Sequence, residues 1–371
     1  MRIVQVCPYD MGRHGGVQAH VTDLSAWLRA NGHQVRIVAP PPTDGRAVPG
    51  VDHAGRSRRI TVHGTLTEIC HVPRGELRAL ARSLADWGAD LLHLHTPWTP
   101  LLPWQVWRAL RLPTVATFHA TLPGASAAGP LARALSAFAA YYVRRLDGIV
   151  VPSASPLQHL KSFPDAPAPV VLPPTVDLAG WVAAGAQRPT DAPARKIVFL
   201  GRFEARKGVN VLLDAWPQVA ARRPELTLTI AGGGALAPRV EAAAASGAIR
   251  FVPEPSADEA KKLVAEADLF VAPSPYGESF GIVLIEAMAA GSVPVAAANS
   301  GYSTVLTGPG ADLLVPPGNA AALADRIVTL AGDPERLGAL RTWGKDHALT
   351  FSVETAGPTF VEVYDRALRR R

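Results

Sequence analysis

The chain has 371 residues, of which 48% are hydrophobic and 18% are charged, and its formal net charge is +6. Chains of this length usually divide into two domains, and the composition is that of a globular protein rather than a disordered one. The arginines are spread along the chain and form no basic stripe with interleaved aromatic residues, so we do not expect nucleic-acid binding. No stretch reaches the roughly 18 apolar residues that a transmembrane helix needs.

The two cysteines and the first residues bear on location. Cys7 and Cys70 are far apart, are expected at a strand end and in a loop, and have no metal or redox spacing. Residues 1–6 are typical of a β-strand and not of a secretion signal. We therefore expect a reducing, cytoplasmic location, with peripheral contact at the inner membrane face as an alternative.

Short apolar runs alternate with helical patterns along the first half of the chain. They predict strands at 2–6, 34–39, 91–95, 114–119 and 148–152. After a stretch rich in proline and alanine, a second series predicts strands at 196–200, 226–231, 249–252, 269–272, 293–297 and 312–315. This alternation is typical of parallel sheets covered by helices.

The predicted fold class is therefore α/β, with two Rossmann-like, doubly wound domains. Their expected bounds are residues 1–172 and 196–351, joined by a linker at 173–195. Residues 352–371 predict one more helix, with Phe360, Val363 and Tyr364 at helical spacing. We expect this helix to pack on the first domain.

The first candidate site residues are Gly15 and Gly16, which follow the first strand and precede a predicted helix. Glycine lets backbone N–H groups approach a ligand, and a helix N-terminus favours an anion. A plain turn between strand and helix explains the same glycines equally well, so both interpretations stay open.

Arg202 and Lys207 follow the first strand of the second domain. Ligands of open α/β sheets bind beyond the carboxyl ends of the strands, where these two cations would neutralise a diphosphate. A solvated basic turn is the alternative, and the location favours function.

A polar loop and an apolar helix follow the strand at 269–272. Glu278 lies in the loop, where its carboxylate can accept hydrogen bonds from sugar hydroxyls, and Glu286 lies in the helix, within reach of ribose hydroxyls. The helix is expected to open at Ile282, so the loop end and first turn supply further candidate substrate-binding residues: Ser279, Phe280, Gly281, Ile282 and Val283.

His119, at the end of a first-domain strand, is the fourth candidate, because it can hydrogen-bond a sugar. His93 and His95, which end the preceding strand, are weaker candidates. A competing pattern, Gly232-Gly233-Gly234-Ala235-Leu236-Ala237, matches a dinucleotide-binding motif and makes an NAD(P)-dependent oxidoreductase an alternative. A non-catalytic nucleotide-sugar binding protein is the other alternative.

Together these motifs resemble those of the family-4 retaining glycosyltransferases, which have the GT-B fold, and among them the bacterial phosphatidylinositol mannosyltransferases. The resemblance rests on the glycines at 15–16, Phe199-Leu200-Gly201-Arg202 with Arg206-Lys207-Gly208, and residues 277–290, where Glu278 and Glu286 match the family's E-x7-E motif. It covers nearly the whole chain.

The resemblance implies a hexosyltransferase that takes mannose, glucose or N-acetylglucosamine from a GDP- or UDP-linked donor, with retention and without a metal or cofactor. It implies that Arg202 and Lys207 hold the diphosphate, Glu278 the sugar and Glu286 the ribose, with Gly16 at the phosphates and His119 near the transferring sugar. The acceptor would be a phosphatidylinositol-like lipid, a small cyclitol or a natural product. The stretch that would contact the base, which includes Pro255, departs from the pattern of the mannosyltransferases and leaves the base open.

Overall fold

The computed structural model describes residues 1–13, 15–62, 65–97, 99, 101–119, 141–153, 157, 166–186, 193–245 and 247–370. The chain forms two compact units. One comprises Met1–Val176 together with Val353–Arg371, and the other comprises Asp177–Ser352. None of the helices in the described ranges is both long enough and apolar enough to cross a membrane.

The strands are, in chain order, β1 (Arg2–Val6), β2 (Gln34–Ala39), β3 (Val51–His53), β4 (Arg56–Val62), β5 (Thr65–His71), β6 (Leu91–His95), β7 (Thr114–Thr117), β8 (Gly148–Val151), β9 (Val170–Val171), β10 (Lys196–Leu200), β11 (Thr227–Gly232), β12 (Ile249–Pro253), β13 (Leu269–Ala272), β14 (Val293–Ala297) and β15 (Leu314–Val315).

The α-helices are α1 (Gly16–Ala30), α2 (Arg74–Asp86), α3 (Leu102–Leu110), α4 (Ala179–Ala184), α5 (Val209–Arg222), α6 (Ala237–Ala244), α7 (Ala257–Glu266), α8 (Ile282–Ala289), α9 (Tyr302–Val305), α10 (Ala320–Ala331), α11 (Pro334–Leu349) and α12 (Val353–Arg369). Short 3-10 helices span Ala205–Lys207 and Gly308–Leu313.

Each unit is built on one parallel sheet. The order in the first unit is β3-β2-β1-β6-β7-β8-β9, beside an antiparallel β4-β5 hairpin, and in the second it is β12-β11-β10-β13-β14-β15. The order reverses between β1 and β6 in one sheet and between β10 and β13 in the other. Ligands of such sheets bind beyond the carboxyl ends of the strands at this reversal. We therefore expect the ligand-binding residues in the loops after β1, β6, β10 and β13. The chain therefore has the predicted α/β fold class, with one doubly wound, Rossmann-like sheet in each unit.

The central strands are buried on both faces, which is why their sequences are continuous apolar runs. All five residues of β6 and all four of β13 are buried. Helix α12 packs against α1, β7 and β8 in the first unit. Its Phe360, Val363 and Tyr364 join a core that includes Ile3 and Leu24.

Several local expectations were wrong. Residues 312–313 end the second 3-10 helix, so β15 is shorter than the strand expected at 312–315. Cys70 lies in β5 and not in a loop; it is fully buried, and burial raises the pKa of its thiol to about 12. The stretch at 173–195 includes helix α4, which belongs to the second unit.

Candidate functional site

In the second unit, the loops after β10 and β13 are in direct contact. Gly208 ends the 3-10 helix that carries Lys207 and has a φ of 74°, a conformation that side chains rarely adopt. A Cβ atom at 208 would lie 2.1 Å from the carbonyl oxygen of Pro273. Glycine therefore allows the backbone of one loop to touch that of the other, which brings Lys207 next to Glu278.

Five charged side chains form an alternating chain along these two loops. Lys207 Nζ lies 2.6 Å from Glu278 Oε1, and Arg206 Nη1 lies 3.4 Å from the same oxygen. Arg206 Nε also contacts Glu204 at 2.8 Å, and Glu204 in turn contacts Arg202 Nη1 at 2.8 Å. The three cations outnumber the two carboxylates, which leaves a net positive charge for an anionic ligand.

The two predicted cations differ in exposure. The side chain of Arg202 is 54% exposed, whereas that of Lys207 is 19% exposed. Burial lowers the pKa of Lys207, and the neighbouring Glu278 carboxylate opposes this shift. A partly desolvated ammonium group interacts more strongly with a phosphate than an exposed one does.

Helix α8 begins at Ile282, as predicted, and its N-terminus has no side-chain cap. Gly281 precedes it with a φ of 120°, and a Cβ there would lie 2.6 Å from the Tyr302 ring. Ser279, Ile282, Val283 and Glu286 are partly exposed, whereas Phe280 and Gly281 are buried. The backbone N–H groups in the first turn of α8 therefore donate to no capping side chain and can donate to a ligand.

Asn299 and Tyr302, which sequence reasoning missed, stabilise the loop after β13 through hydrogen bonds with Ser274. Asn299 Nδ2 donates to the carbonyl oxygen of Ser274 at 2.8 Å, and its Oδ1 accepts from the N–H groups of Gly301 and Tyr302. The Tyr302 hydroxyl lies 3.0 Å from Ser274 Oγ. Sequence spacing does not predict the contacts with Ser274, because they join residues that are far apart in the sequence.

The glycines of the dinucleotide-like pattern have a packing role. Gly232 and Gly234 have φ values of 137° and 141°, and a Cβ at 232 would lie 1.9 Å from the carbonyl oxygen of Gly201. The N–H of Phe203 donates to the carbonyl oxygen of Gly233 at 2.7 Å. The pattern therefore lets the loop after β11 lie against the loop that carries Arg202, and needs no dinucleotide to explain it.

Pro255 follows β12 and directly precedes the capped N-terminus of α7. Ser256 Oγ accepts from the N–H of Glu259, and the Glu259 carboxylate accepts from the N–H of Ser256. This reciprocal cap fixes the direction in which α7 leaves the loop. Pro255 is partly exposed beside it.

In the first unit, α1 begins at Gly16 directly after the loop that follows β1. Gly15 is extended, no side chain caps the helix, and its first turn contains no acidic residue. Asp10 and Glu68 stabilise the preceding loop: Asp10 accepts from the N–H groups of Gly12 and Thr43 at 2.9 Å, and Glu68 accepts from the N–H of Asp10 at 3.0 Å. No sequence pattern predicts this contribution of Glu68 from the β4-β5 hairpin.

His119 is not isolated but lies in a cluster with His20 of α1 and His95 of β6. Their ring centres are between 5.1 and 5.3 Å apart, and one nitrogen of each ring lies within 4.8 Å of those of the other two. Burial lowers the pKa of all three, that of His20 to about 3, so the rings are neutral at physiological pH. His95, considered the weaker candidate, is a direct partner of His119.

Two family models match the chain. Residues 14–179 match the model described as Glycosyltransferase Family 4, and residues 194–333 match the one described as Glycosyl transferases group 1. Together the two matches span most of the chain.

Two similar proteins are named as a mannosyltransferase and a glycogen synthase. The chain is 34% identical to a phosphatidyl-myo-inositol mannosyltransferase of Mycobacterium leprae, over 89% of this chain and 87% of that protein. It is 30% identical to a glycogen synthase of Mycobacterium tuberculosis, over 90% of this chain and 87% of that one. An Anabaena protein solved in complex with UDP has a similar fold, with a TM-score of 0.75, 17% identity, and coverage of 98% of this chain and 100% of that chain.

Proposed function

The chain belongs to glycosyltransferase family 4, and from this premise we propose that it transfers a hexose from a nucleoside-diphosphate sugar to a hydroxyl group with retention at the anomeric carbon. The observation that carries the proposal is the chain of charges after β10 and β13. Its three cations follow β10 and Glu278 follows β13, the two strands between which the sheet order reverses. This is where an α/β sheet binds a nucleotide.

The reaction breaks the bond between the anomeric carbon and the phosphate oxygen and forms one between that carbon and the acceptor oxygen. In a front-face reaction, the acceptor proton passes to the departing phosphate. Negative charge then develops on the diphosphate, so stabilising it lowers the barrier. We assign this role to Arg202 and Lys207, and no metal ion or cofactor is needed to supply the positive charge.

The remaining candidate residues are proposed contacts to other parts of the donor. Glu278 would bind sugar hydroxyls, Glu286 the ribose, and Pro255 the base. Further contacts would come from the loop end and first turn of α8, namely Ser279, Phe280, Gly281, Ile282 and Val283. In the first unit, Gly15 and Gly16 are the proposed phosphate contacts and His119 the proposed contact to the transferring sugar.

The relatives support a hexose donor but differ in acceptor. One is named for mannosyl transfer to phosphatidyl-myo-inositol and another for glycogen synthesis, and a structural neighbour was solved with UDP. We propose a GDP- or UDP-linked hexose as donor and an inositol hydroxyl as acceptor, either in a lipid or in a small cyclitol. The lipid acceptor would place the enzyme at the inner face of the membrane, and the cyclitol would place it in the cytoplasm.

The first experiment is a thermal-unfolding screen with UDP, GDP, ADP and their common hexose conjugates. A ligand at a hundredfold excess over its dissociation constant stabilises the protein by about 2.7 kcal/mol, which gives a clear shift in Tm. Mannosyl or glucosyl transfer is then measured with phosphatidylinositol vesicles and with free myo-inositol, and the product anomer is identified by NMR.

Stabilisation by one nucleoside diphosphate, slow donor hydrolysis and an α-linked product from an α-linked donor are the expected results. Binding without hydrolysis or transfer for any common donor would favour a non-catalytic nucleotide-sugar binding protein. Stabilisation by NADH or NADPH but by no nucleoside diphosphate would instead support the oxidoreductase alternative.

A further inference from the structure

A series of hydrogen bonds connects His119 to buried residues of the first sheet. His119 Nε2 lies 3.0 Å from His95 Nδ1, and His95 Nε2 lies 2.5 Å from Gln5 Oε1. Gln5 and His95 are fully buried on the adjacent strands β1 and β6, whereas His119 is only partly buried. The partly exposed ring is thus connected through a buried one to the amide oxygen of a fully buried residue of β1.

The positions of the protons follow from what each atom can do. A neutral imidazole has one N–H donor and one acceptor nitrogen, and an amide oxygen only accepts. Because Gln5 Oε1 accepts from His95 Nε2, the Nδ1 atom of His95 has no proton and must itself accept. His119 therefore donates through Nε2, and its lone pair is on Nδ1.

The third histidine of the cluster has its own fixed tautomer. The backbone N–H of Thr175 donates to His20 Nδ1 at 2.9 Å, so the proton of the neutral His20 ring is on Nε2. That Nε2 atom is buried and has no hydrogen-bond partner among the residues that the structure describes. A nitrogen that carries a proton has no lone pair for a metal ion, which distinguishes this cluster from a three-histidine metal site.

We propose that Gln5 and His95 are positioning residues that hold His119 as the Nε2–H tautomer, so that Nδ1 accepts a hydrogen bond from a hydroxyl group of the ligand. The role of His119 rests on the proposed function, whereas its tautomer does not. In this state His119 is a neutral acceptor for a sugar hydroxyl and not a cationic contact to the diphosphate. The lowered pKa of each ring, caused mainly by burial, agrees with neutral tautomers.

The direct test is a two-bond proton–nitrogen NMR spectrum of the full chain labelled with 15N-histidine, with His119 assigned by the loss of its signals in His119→Gln. We expect a protonated Nε2 and an unprotonated Nδ1 for His119 at neutral pH. A protonated Nδ1, or a doubly protonated ring, would overturn the proposal. This measurement needs only the wild-type protein and one variant for assignment.

Two substitutions of His95 separate its two hydrogen bonds. Asn places its amide oxygen near the former Nδ1 position and can still accept from His119, whereas Gln extends toward Gln5 and leaves no acceptor at that position. We expect His95→Gln to yield a mixture of His119 tautomers and to lower kcat by roughly tenfold or more, as for other residues that orient a functional histidine. His95→Asn should retain the Nε2–H tautomer and recover part of the rate.

His93→Asn is the matched control. His93 lies on the same buried strand and its ring centre is 4.1 Å from that of His95, but its hydrogen-bond partners are Thr117 Oγ1 and the Tyr364 hydroxyl and not His95 or His119. The His93→Asn substitution should leave the His119 tautomer unchanged. If His95→Asn, His95→Gln and His93→Asn all affect the tautomer and kcat equally, the effect is general loosening of the core, and the positioning role is wrong.

A zinc titration distinguishes the metal alternative. With stoichiometric Zn²⁺ alone we expect no change in the His20, His95 and His119 signals, whereas metal binding that removes the His119 Nε2 proton would refute the tautomer assignment. Failure of the proposed function is recognised separately, because a protein without glycosyl transfer can still show the expected tautomer.

Discussion

Acid should destabilise the first unit, and His20 allows the size of the effect to be worked out. The side chain is completely buried, and burial lowers its pKa to about 3. In the unfolded chain the pKa returns to about 6.5. Between these values the unfolded state binds a proton that the folded state does not, so this contribution to stability is complete above about pH 6.5 and is lost as the pH falls toward 3.

The linkage relation gives the magnitude for this one residue. Each pH unit below 6.5 costs at most about 1.4 kcal/mol, so at pH 5 the loss is about 2 kcal/mol. Burial shifts the pKa values of His93, His95 and His119 in the same direction. Because a domain is stable by only about 5–15 kcal/mol, a loss of this size should be easy to measure.

The assay is urea unfolding between pH 7.5 and 5, followed by hydrogen exchange of peptides that cover β1 and β6, since a two-domain chain does not unfold in one step. His20→Asn keeps an acceptor for the Thr175 N–H but cannot take up a proton. Between pH 6.5 and 5, the stability of His20→Asn should fall by about 2 kcal/mol less than that of the wild type. His71→Asn, at an exposed position, is the control and should show the pH dependence of the wild type. An unchanged pH dependence in His20→Asn would show that the reasoning from burial is wrong.

Three substitutions test the second unit. Lys207→Met should weaken nucleoside-diphosphate binding by about 10- to 100-fold, because a charged hydrogen bond contributes about 1.5–3 kcal/mol, whereas Lys262→Met on the exposed face of α7 should bind normally in calorimetry. Glu204→Gln should strengthen that binding by up to about fivefold, since a carboxylate that competes with the phosphates for the guanidinium groups is lost; weaker binding would contradict this. Gly301→Ala would place a Cβ atom 2.5 Å from the carbonyl oxygen of Glu278, so we expect a lower Tm together with weaker binding, and unchanged values would exclude the tight contact.

The sequence predicted the strands that are buried on both faces and missed those that are not. The bounds of β1, β2, β6, β10 and β13 match the expected ones, because strands inside a parallel sheet are continuous apolar runs. The β4-β5 hairpin contains several charged residues, and β3 and β9 span only three and two residues, so none of them has an apolar pattern to recognise.

The candidate residues that the sequence identified lie at the end of a predicted strand or in the segment that follows it. Arg202, Lys207 and Glu278 follow strand ends, and the fold alone brings such loops together at the point where the sheet order reverses. The partnership of His95 with His119 could have been found in the same way, because each ends or follows a strand, and the two strands are neighbours. The contact of Asn299 with Ser274 could not, since this hydrogen bond joins residues far apart in the sequence and forms only after the loops have packed.

The structure changes how Glu278 should be understood. Its Oε1 atom already accepts from Lys207 and lies near Arg206, so its position depends on the same cations that are proposed to hold the diphosphate. A carboxylate has about four acceptor directions, so this pairing leaves room for a sugar hydroxyl. When a diphosphate draws Lys207 toward itself, the orientation of Glu278 must respond, because the two groups share a hydrogen bond 2.6 Å long. Recognition of the sugar and stabilisation of the leaving group are therefore coupled through Lys207, and substitutions at these two positions should not be additive.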